Sequence, residues 1–314
     1  MTVLDQFIAR QGVVTLDGGL ATELERRGAD LRDPLWSARL LLEAPELVRE
    51  VHLDYYRAGA DIATTASYQA SFEGFARRGL DASAAAALLR RSVALACEAR
   101  ESFWADAAAR AGRDRPLVAA SVGPYGATLH DGSEYRGDYR LDVDALVAFH
   151  RPRLAVLAAT DADLLACETV PCLDEAVALA RLLREFPQTQ AWITFSCKDG
   201  AHVSHGERFA ACVDALADCE QVAAIGVNCT SPEHIASLVE IAASRTAKPV
   251  IVYPNSGEHY DAAAKCWHGD GAATLAQHAP EWHRLGARVI GGCCRTTPAD
   301  IRALRHWAEK RRSA

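Results

Sequence analysis

The sequence lacks long apolar runs, basic regions and linkers. No apolar stretch reaches the roughly 18 residues needed to span a membrane, and the first residues, MTVLDQFIARQG, contain no apolar segment like that of a secretory signal. The formal net charge of -7 argues against nucleic acid as a partner. The basic residues 310 to 312 are expected to form a solvated helix end. We therefore expect a cytoplasmic protein without a membrane or nucleic-acid partner.

Cysteine is abundant, with ten residues in 314, but the C-x-x-C spacing of many metal and redox sites does not occur. Because there is no secretory signal, we expect reduced thiols rather than a disulfide framework. Five of the cysteines lie in apolar surroundings, where a thiol behaves as a small hydrophobic group. These five are assigned to packing: Cys97, Cys167, Cys197, Cys212 and Cys219. Cys172 and Cys266 lie in helical or loop sequence and are not expected to bind a metal.

Eight short apolar runs recur along the chain, separated by turns and longer helical stretches. Each run is nearly continuous in apolar character, as expected for a strand covered on both faces of a parallel sheet. Eight alternating β and α units fit a single (β/α)8 TIM barrel better than a doubly wound sheet. We predict one domain over residues 1–314, with strands at 13–17, 61–67, 117–123, 162–168, 191–197, 223–229, 249–255 and 287–293.

One long polar segment, residues 123–142, lies between the third predicted strand and its helix. A loop of this length in a compact domain usually has a function. We interpret it as a lid or a wall of the active site, and a surface loop without such a role is the alternative.

Three cysteines stand where predicted strands end. Cys229 closes the sixth run, and Cys293 and Cys294 close and follow the eighth. The carboxyl ends of barrel strands form one face, so these cysteines could converge. Three thiolates leave the fourth position of a tetrahedral zinc ion open, which favours a catalytic site that activates a substrate thiol. The alternatives are a redox pair, or two small residues that follow a Gly-Gly turn.

The chain resembles the zinc-dependent homocysteine S-methyltransferases. The matching segments follow the order of that family over almost the whole chain. They are LDGGLATELERRG at 16–28, TTASYQAS at 64–71, ACETVPCLDEA at 166–176, GVNCT at 226–230, VYPNSGE at 252–258 and GGCCRTTPADI at 291–301.

The resemblance implies a barrel in which Cys229, Cys293 and Cys294 bind zinc and the sulfur of homocysteine is the fourth ligand. The VYPNSGE segment resembles short members that use S-methylmethionine, and sometimes S-adenosylmethionine, as the methyl donor. The sequence lacks the C-terminal extension of betaine-using members and has no cobalamin or folate module. We therefore expect methyl transfer from a sulfonium donor to homocysteine, which gives methionine.

The amino-acid end of homocysteine needs partners for an ammonium and a carboxylate. The resemblance implies that Glu168 binds the amino group and that the turn of Asp17, Gly18 and Gly19 helps to hold this end of the substrate. The glycines permit close approach of the backbone, and a turn that leads into a helix offers free N–H groups. For Asp17, the alternative is a helix N-cap.

A sulfonium donor needs aromatic faces and oxygen atoms around its positive charge. The candidates follow predicted strand ends: Asn228, Tyr253, Asn255, Glu258, Tyr68 and Gln69. The alternatives are a core position for Tyr253 and a solvated turn for Glu258.

No general base is required, since zinc deprotonates the acceptor and the leaving group departs neutral. The following histidines are therefore expected to lie mostly at the surface or in loops: His130, His150, His202, His205, His259 and His268. The expected mechanism is a single in-line displacement. Two alternatives remain: a different acceptor such as selenocysteine, or a non-catalytic zinc or redox sensor that uses Cys293 and Cys294. We expect a monomer or a weak homo-oligomer.

Overall fold

The computed structural model describes residues 2–31, 36–261, 266–268 and 274–313. The strands of its main sheet are β1 Val14–Thr15, β2 Ile62–Thr64, β3 Leu117–Val122, β4 Leu164–Val170, β5 Ala191–Phe195, β6 Val222–Asn228, β7 Val250–Tyr253 and β10 Ala287–Ile290. A separate hairpin consists of β8 His259–Asp261 and β9 Cys266–His268.

The eight main strands are all parallel and follow the order β1-β10-β7-β6-β5-β4-β3-β2. A parallel bridge between Leu16 and Ile62 joins β1 to β2, and the Asp17 N–H donates to the Ile62 carbonyl over 3.1 Å. The strands therefore form a ring, and the predicted TIM barrel is confirmed. Each of the eight apolar runs overlaps one strand, although β4 ends two residues later and β6 begins one residue earlier than predicted. The runs are apolar because a barrel strand is covered inside by other strands and outside by helices.

The described part of the chain contains twelve α-helices. They are α1 Val3–Gln11, α2 Leu20–Arg26, α3 Trp36–Glu43, α4 Pro45–Ala58, α5 Phe72–Ala76, α6 Ala82–Ala105, α7 Val143–Ala158, α8 Leu173–Leu183, α9 Phe209–Leu216, α10 Pro232–Arg245, α11 Leu275–Leu285 and α12 Pro298–Ser313. Among these helices, none is both long enough and apolar enough to cross a membrane. Residues 310 to 312 are exposed in the last turn of α12, as predicted.

Helix α1 packs against the inside of the barrel. Its Leu4 and Phe7 are buried in one cluster with inward-facing strand residues such as Val14, Leu117 and Trp192. A capping box at Thr2 fixes the start of this helix. Because these strand residues lie at or near the amino ends of their strands, α1 packs at that end, opposite the end where the loops after β1, β4, β6 and β10 gather.

The hairpin β8–β9 was not predicted. Its strands pair antiparallel, with His259 opposite His268, and each has three residues, too few for a pattern of alternation to be visible. The side chains of His259, Cys266 and His268 lie outside the described residues. Four of the five packing cysteines are buried, as expected, whereas Cys97 is partly exposed.

Candidate functional site

The three predicted cysteines meet at the carboxyl end of the barrel. Their sulfur atoms all lie within 4.8 Å of one another, and the Sγ atoms of Cys293 and Cys294 are 4.0 Å apart. A tetrahedral ion with metal–sulfur distances of about 2.3 Å places its sulfur ligands about 3.8 Å apart. The three residues are partly exposed, so the Cys293–Cys294 pair has the spacing of metal ligands and the cluster has the access of a metal site.

Cys229 and Cys293 are also close enough to form a disulfide. Their sulfur atoms are joined in a disulfide, with Cα atoms 5.7 Å apart, while Cys294 is free. Metal binding and this disulfide exclude each other because both use the same sulfur atoms. The pair differs from the Cys293–Cys294 pair that the redox alternative invoked.

The exit of β7 holds the two cysteine segments together. The Cys229 N–H donates to the carbonyl of Tyr253 over 3.2 Å, and the Cys293 N–H donates to that of Pro254 over 2.8 Å. Cys229 has a φ of 47°, in the left-handed region that residues other than glycine rarely adopt. The backbone therefore fixes the position of each of these two thiols at the end of its strand.

The glycine pair after β1 lies against the second cysteine segment. A Cβ atom on Gly19 would lie 2.7 Å from the carbonyl oxygen of Cys293, and one on Gly18 would lie 2.9 Å from Oγ1 of Thr296. The backbone at these glycines thus approaches other residues of the protein closely, whereas the prediction had it approach the substrate. The Gly19 N–H donates to Thr296, so this particular group is already occupied, and binding of a substrate carboxylate by this turn stays a prediction.

Asp17 and Glu168 are two buried carboxyl groups that affect each other. Asp17 accepts hydrogen bonds from the N–H of Thr64 over 2.7 Å and from its hydroxyl, and it does not cap α2, whose N-cap is Gly19. Burial raises the pKa of Asp17 well above its ordinary value, and the charge of Glu168 raises it further. Burial also raises the pKa of Glu168 to about 7, against hydrogen bonds from Ser121 and Tyr253 that lower it. Two such carboxyls suit a cationic ligand group, because a cation would offset their mutual repulsion.

Asn228 supports the strand ends through its amide. Its Oδ1 accepts from the Thr169 N–H over 2.7 Å and from the Thr194 hydroxyl over 2.8 Å, and its Nδ2 donates to the Thr169 hydroxyl over 2.8 Å. Thr169, directly after Glu168, has a φ of 61°, which is strained for a β-branched residue. Asn228 is fully buried, so the described contacts give it a positioning role, and its contact with a donor stays a prediction.

Tyr253 and Tyr68 are placed differently from each other. Tyr253 is 2% exposed, and its hydroxyl accepts from Trp192 over 2.9 Å and lies 2.8 Å from the Thr194 hydroxyl. Tyr68 is partly exposed and forms a hydrogen bond with the side chain of Thr169. Of the two aromatic rings proposed for the donor, Tyr68 is therefore the more accessible.

The remaining donor candidates also lie at the carboxyl end of the barrel. Glu258 accepts a hydrogen bond from Nε of Arg295 over 2.7 Å in an ion pair, so its charge is already balanced. Gln69 and Asn255 are partly exposed residues, and each has a buried side-chain oxygen without a hydrogen-bond partner in the described part of the chain. Both oxygens lack a protein partner there, and contact of these residues with a ligand stays a prediction.

The loop 123–142 is anchored by a buried network that sequence analysis missed. Arg153 donates to the carbonyl of Gly123 and to Nδ1 of His150, and Nε2 of His150 lies 2.8 Å from Glu175, which also accepts from the N–H of Tyr125. His150 is fully buried, so its predicted surface position is wrong. Burial lowers its pKa to about 4. The network fixes the start of the loop beside the strand ends.

A family model described as homocysteine S-methyltransferase matches residues 14–308. The chain is 52% identical over 309 residues to the homocysteine S-methyltransferase YbgG of Bacillus subtilis, which covers 98% of each chain. The chain belongs to the homocysteine S-methyltransferase family.

Other members of the homocysteine S-methyltransferase family are also similar. The homocysteine methyltransferase MmuM from Escherichia coli has been solved in a metallated and an oxidised form. Both forms match with a TM-score of 0.88 and 50% identity over 96% of this chain, and over 99% and 98% of those chains. A selenocysteine Se-methyltransferase from Brassica oleracea var. italica is 47% identical over 313 residues, which cover 96% of this chain and 90% of that protein.

In this homocysteine S-methyltransferase, three polar residues support the site that were not predicted from the sequence. Thr64, Ser121 and Thr194 hydrogen-bond to Asp17, Glu168 and Asn228, respectively. Ser121 and Thr194 are polar residues inside largely apolar strand runs, and that exception to the pattern is the signal that could have found them. Thr64 has no such signal, because its run, residues 61–67, contains several polar residues.

Proposed function

We propose that the protein transfers a methyl group from a sulfonium donor, S-methylmethionine first and S-adenosylmethionine second, to the sulfur of homocysteine. The observation that carries the proposal is the cluster of Cys229, Cys293 and Cys294 beside the buried carboxyls of Asp17 and Glu168. The cysteines suit activation of a thiol, and the carboxyls suit an α-ammonium group. Homocysteine has both of these groups.

Cys229, Cys293 and Cys294 are the proposed zinc ligands. The 4.0 Å separation of the Cys293 and Cys294 sulfur atoms supports this assignment, as do the all-sulfur ligand set and a matching relative solved in a metallated form. When bound, zinc supplies the positive charge that keeps a coordinated thiol deprotonated at neutral pH.

The residues of the chain bind and orient the two substrates in the proposed reaction. Asp17 and Glu168 take the homocysteine ammonium, and the Gly18–Gly19 turn lies beside the carboxylate. The donor methyl group lies in line between the two sulfur atoms, and the C–S bond to the donor breaks as the new C–S bond forms. No proton transfer to the leaving group is required, because a sulfonium leaves as a neutral thioether.

Selenocysteine is a second candidate acceptor. This candidate is supported by the 47% identity between this chain and the Brassica selenocysteine Se-methyltransferase. A selenol differs from a thiol in acidity and size but offers the same amino-acid end. Acceptor competition at equal concentration separates the two candidates.

We also propose that the protein works in the cytoplasm, as a monomer or weak homo-oligomer. The proposed zinc site supports a reducing compartment, because oxidation of Cys229 and Cys293 would remove two ligands.

The proposed function predicts that purified, zinc-loaded protein forms methionine from homocysteine with S-methylmethionine, more slowly with S-adenosylmethionine, and not with betaine. With S-methylmethionine, two methionine molecules should form per homocysteine consumed, because both products are methionine. Amino-acid chromatography measures this ratio. Absence of turnover with every sulfonium donor, for both homocysteine and selenocysteine, would contradict the proposal.

Glu168 should make ligand binding depend on pH. Only its ionised form attracts an α-ammonium, so a group with a pKa of about 7 should strengthen methionine binding about tenfold between pH 6 and pH 8. Methionine is the appropriate ligand because it has no thiol to titrate. Calorimetry should show this slope in the wild type and in the surface variant Glu185→Gln, and a smaller slope in Glu168→Gln, where only Asp17 of the pair remains. An unchanged slope in Glu168→Gln would show that Glu168 does not bind the amino group of the ligand.

A further inference from the structure

The second half of loop 123–142 folds back over the carboxyl end of the barrel. A short 3-10 turn at Ser133–Tyr135 packs against β4, the strand that carries Glu168. The hydroxyl of Ser196, directly after β5, donates to the backbone carbonyl of Glu134 over 3.2 Å. The loop therefore places Glu134 beside the strand ends that form the site.

The Glu134 carboxyl group forms no ion pair in the part of the chain that the structure describes. Its Oε2 is buried and accepts no hydrogen bond. The nearby Arg136 pairs with Asp131 and Asp138, at 3.4 and 3.7 Å. Burial raises the pKa of Glu134 above its ordinary value, and the charge of Arg136 lowers it only in part, so Glu134 lacks the ion-pair partner that a buried carboxylate usually has.

The charge of Glu134 also acts on Tyr68. After burial, that charge is the largest cause that raises the pKa of the Tyr68 hydroxyl. Tyr68 is the more accessible of the two proposed donor aromatics. Glu134 is therefore close to a residue proposed to contact the donor.

The other carboxyls of the site already have roles. Asp17 and Glu168 are proposed to take the homocysteine ammonium, and Glu258 is paired with Arg295. Glu134 is therefore the carboxylate of the site that is left for a second cationic group. The unpartnered side-chain oxygens of Gln69 and Asn255, which follow strand ends at the same end of the barrel, suit a positive group rather than an anion.

We propose that Glu134 binds the positively charged sulfur of the methyl donor and gives the enzyme its preference for a cationic donor. This assignment rests on the proposed function and adds a specificity-determining residue to it. The sulfonium meets the carboxylate charge on one side and the ring of Tyr68 on another.

The charge of Glu134 should affect KM and kcat differently. The donor sulfur loses its positive charge as the methyl group leaves, so a carboxylate beside it stabilises the bound donor more than the transition state. Removing that charge should raise the KM for the donor and leave kcat unchanged or higher. Loss of loop structure would instead lower kcat and disturb both substrates.

The experiment compares Glu134→Gln with Asp138→Asn, a matched change of an exposed carboxylate in the same loop. We expect Glu134→Gln to raise the KM for S-methylmethionine on the order of tenfold, with the KM for homocysteine and the unfolding temperature unchanged. Asp138→Asn should leave all three unchanged.

A binding measurement separates this proposal from the proposed function, because it needs no turnover. Calorimetry on zinc-loaded protein compares S-methylmethionine with its neutral carbon analogue, 2-amino-5-methylhexanoate. Glu134→Gln should reduce the preference of the protein for the sulfonium by about tenfold. An unchanged preference, or a higher KM for homocysteine alone, would overturn the role of Glu134, whereas failure of the wild type to transfer methyl groups would overturn only the proposed function.

Discussion

Replacement of Cys294 by serine is expected to abolish zinc binding and methyl transfer together. Two thiolates would remain, and a serine hydroxyl stays protonated at neutral pH, so it is a poor ligand for zinc. Loss of a residue that only orients a ligand lowers metal affinity by about 10- to 100-fold, and loss of a ligand should exceed that range. Zinc content should fall from about one ion per chain to a small fraction, and turnover by more than about 100-fold.

The matched control for this experiment is Cys97→Ser. Cys97 is another partly exposed free cysteine, but it lies in α6, outside the cluster of three thiols. Its replacement should leave zinc content and turnover unchanged. Elemental analysis and methionine formation are measured on the same samples. Full zinc content and full turnover in Cys294→Ser would show that Cys294 is not a ligand.

The barrel was predictable because its physical cause is local. A strand such as β6, covered on both faces, must be apolar throughout, and its neighbours in sequence must be helices that cover the outside. Eight repeats of that unit leave few alternative folds. The hairpin β8–β9 has no comparable signal, since its three-residue strands do not bury a continuous apolar surface.

The cysteine cluster was predictable for a related reason. Once Cys229 and Cys293 are placed at strand ends, the barrel brings them to one face whatever the detailed packing. The hydrogen bonds of Asp17 and Asn228 were not predictable, because they depend on which side chains face each other across different strands. Which side chains face each other depends on the register of the strands, and that register is set by the closure of the whole barrel.

The role of loop 123–142 could not be derived from its sequence. Its anchor joins Arg153 and His150 of α7 to Glu175 of α8 and to the backbone of Gly123, so it depends on how two helices pack. His150 lies on the face of α7 that also carries the buried Leu146 and Leu154, so helical spacing could have placed it inside. Its contacts with Arg153 and Glu175 could not be predicted, because they depend on that packing.

Replacement of Gly226 by alanine is expected to destabilise the barrel strongly and to weaken the metal site. Gly226 lies in β6 opposite Ile251 of β7, and an added Cβ would lie 1.7 Å from the Ile251 carbonyl oxygen. Both strands are held on each side, so they can separate only by losing hydrogen bonds to each other. The cost should reach about 3 kcal/mol or more, at the upper end of overpacking effects, and should lower the unfolding temperature by roughly 5–12 °C.

The strain from Gly226→Ala would reach the site because β6 leads to Cys229, whose N–H is bound to Tyr253 of β7. Zinc affinity should therefore fall along with stability. The control is Gly200→Ala, where the nearest atoms to an added Cβ are those of Ser237 at 3.3 Å, and its effect should stay within about 1 kcal/mol. Thermal unfolding with and without zinc measures both quantities. A Gly226→Ala protein as stable as Gly200→Ala would mean that β6 and β7 can separate freely, and the close strand contact would then have no part in positioning the thiols.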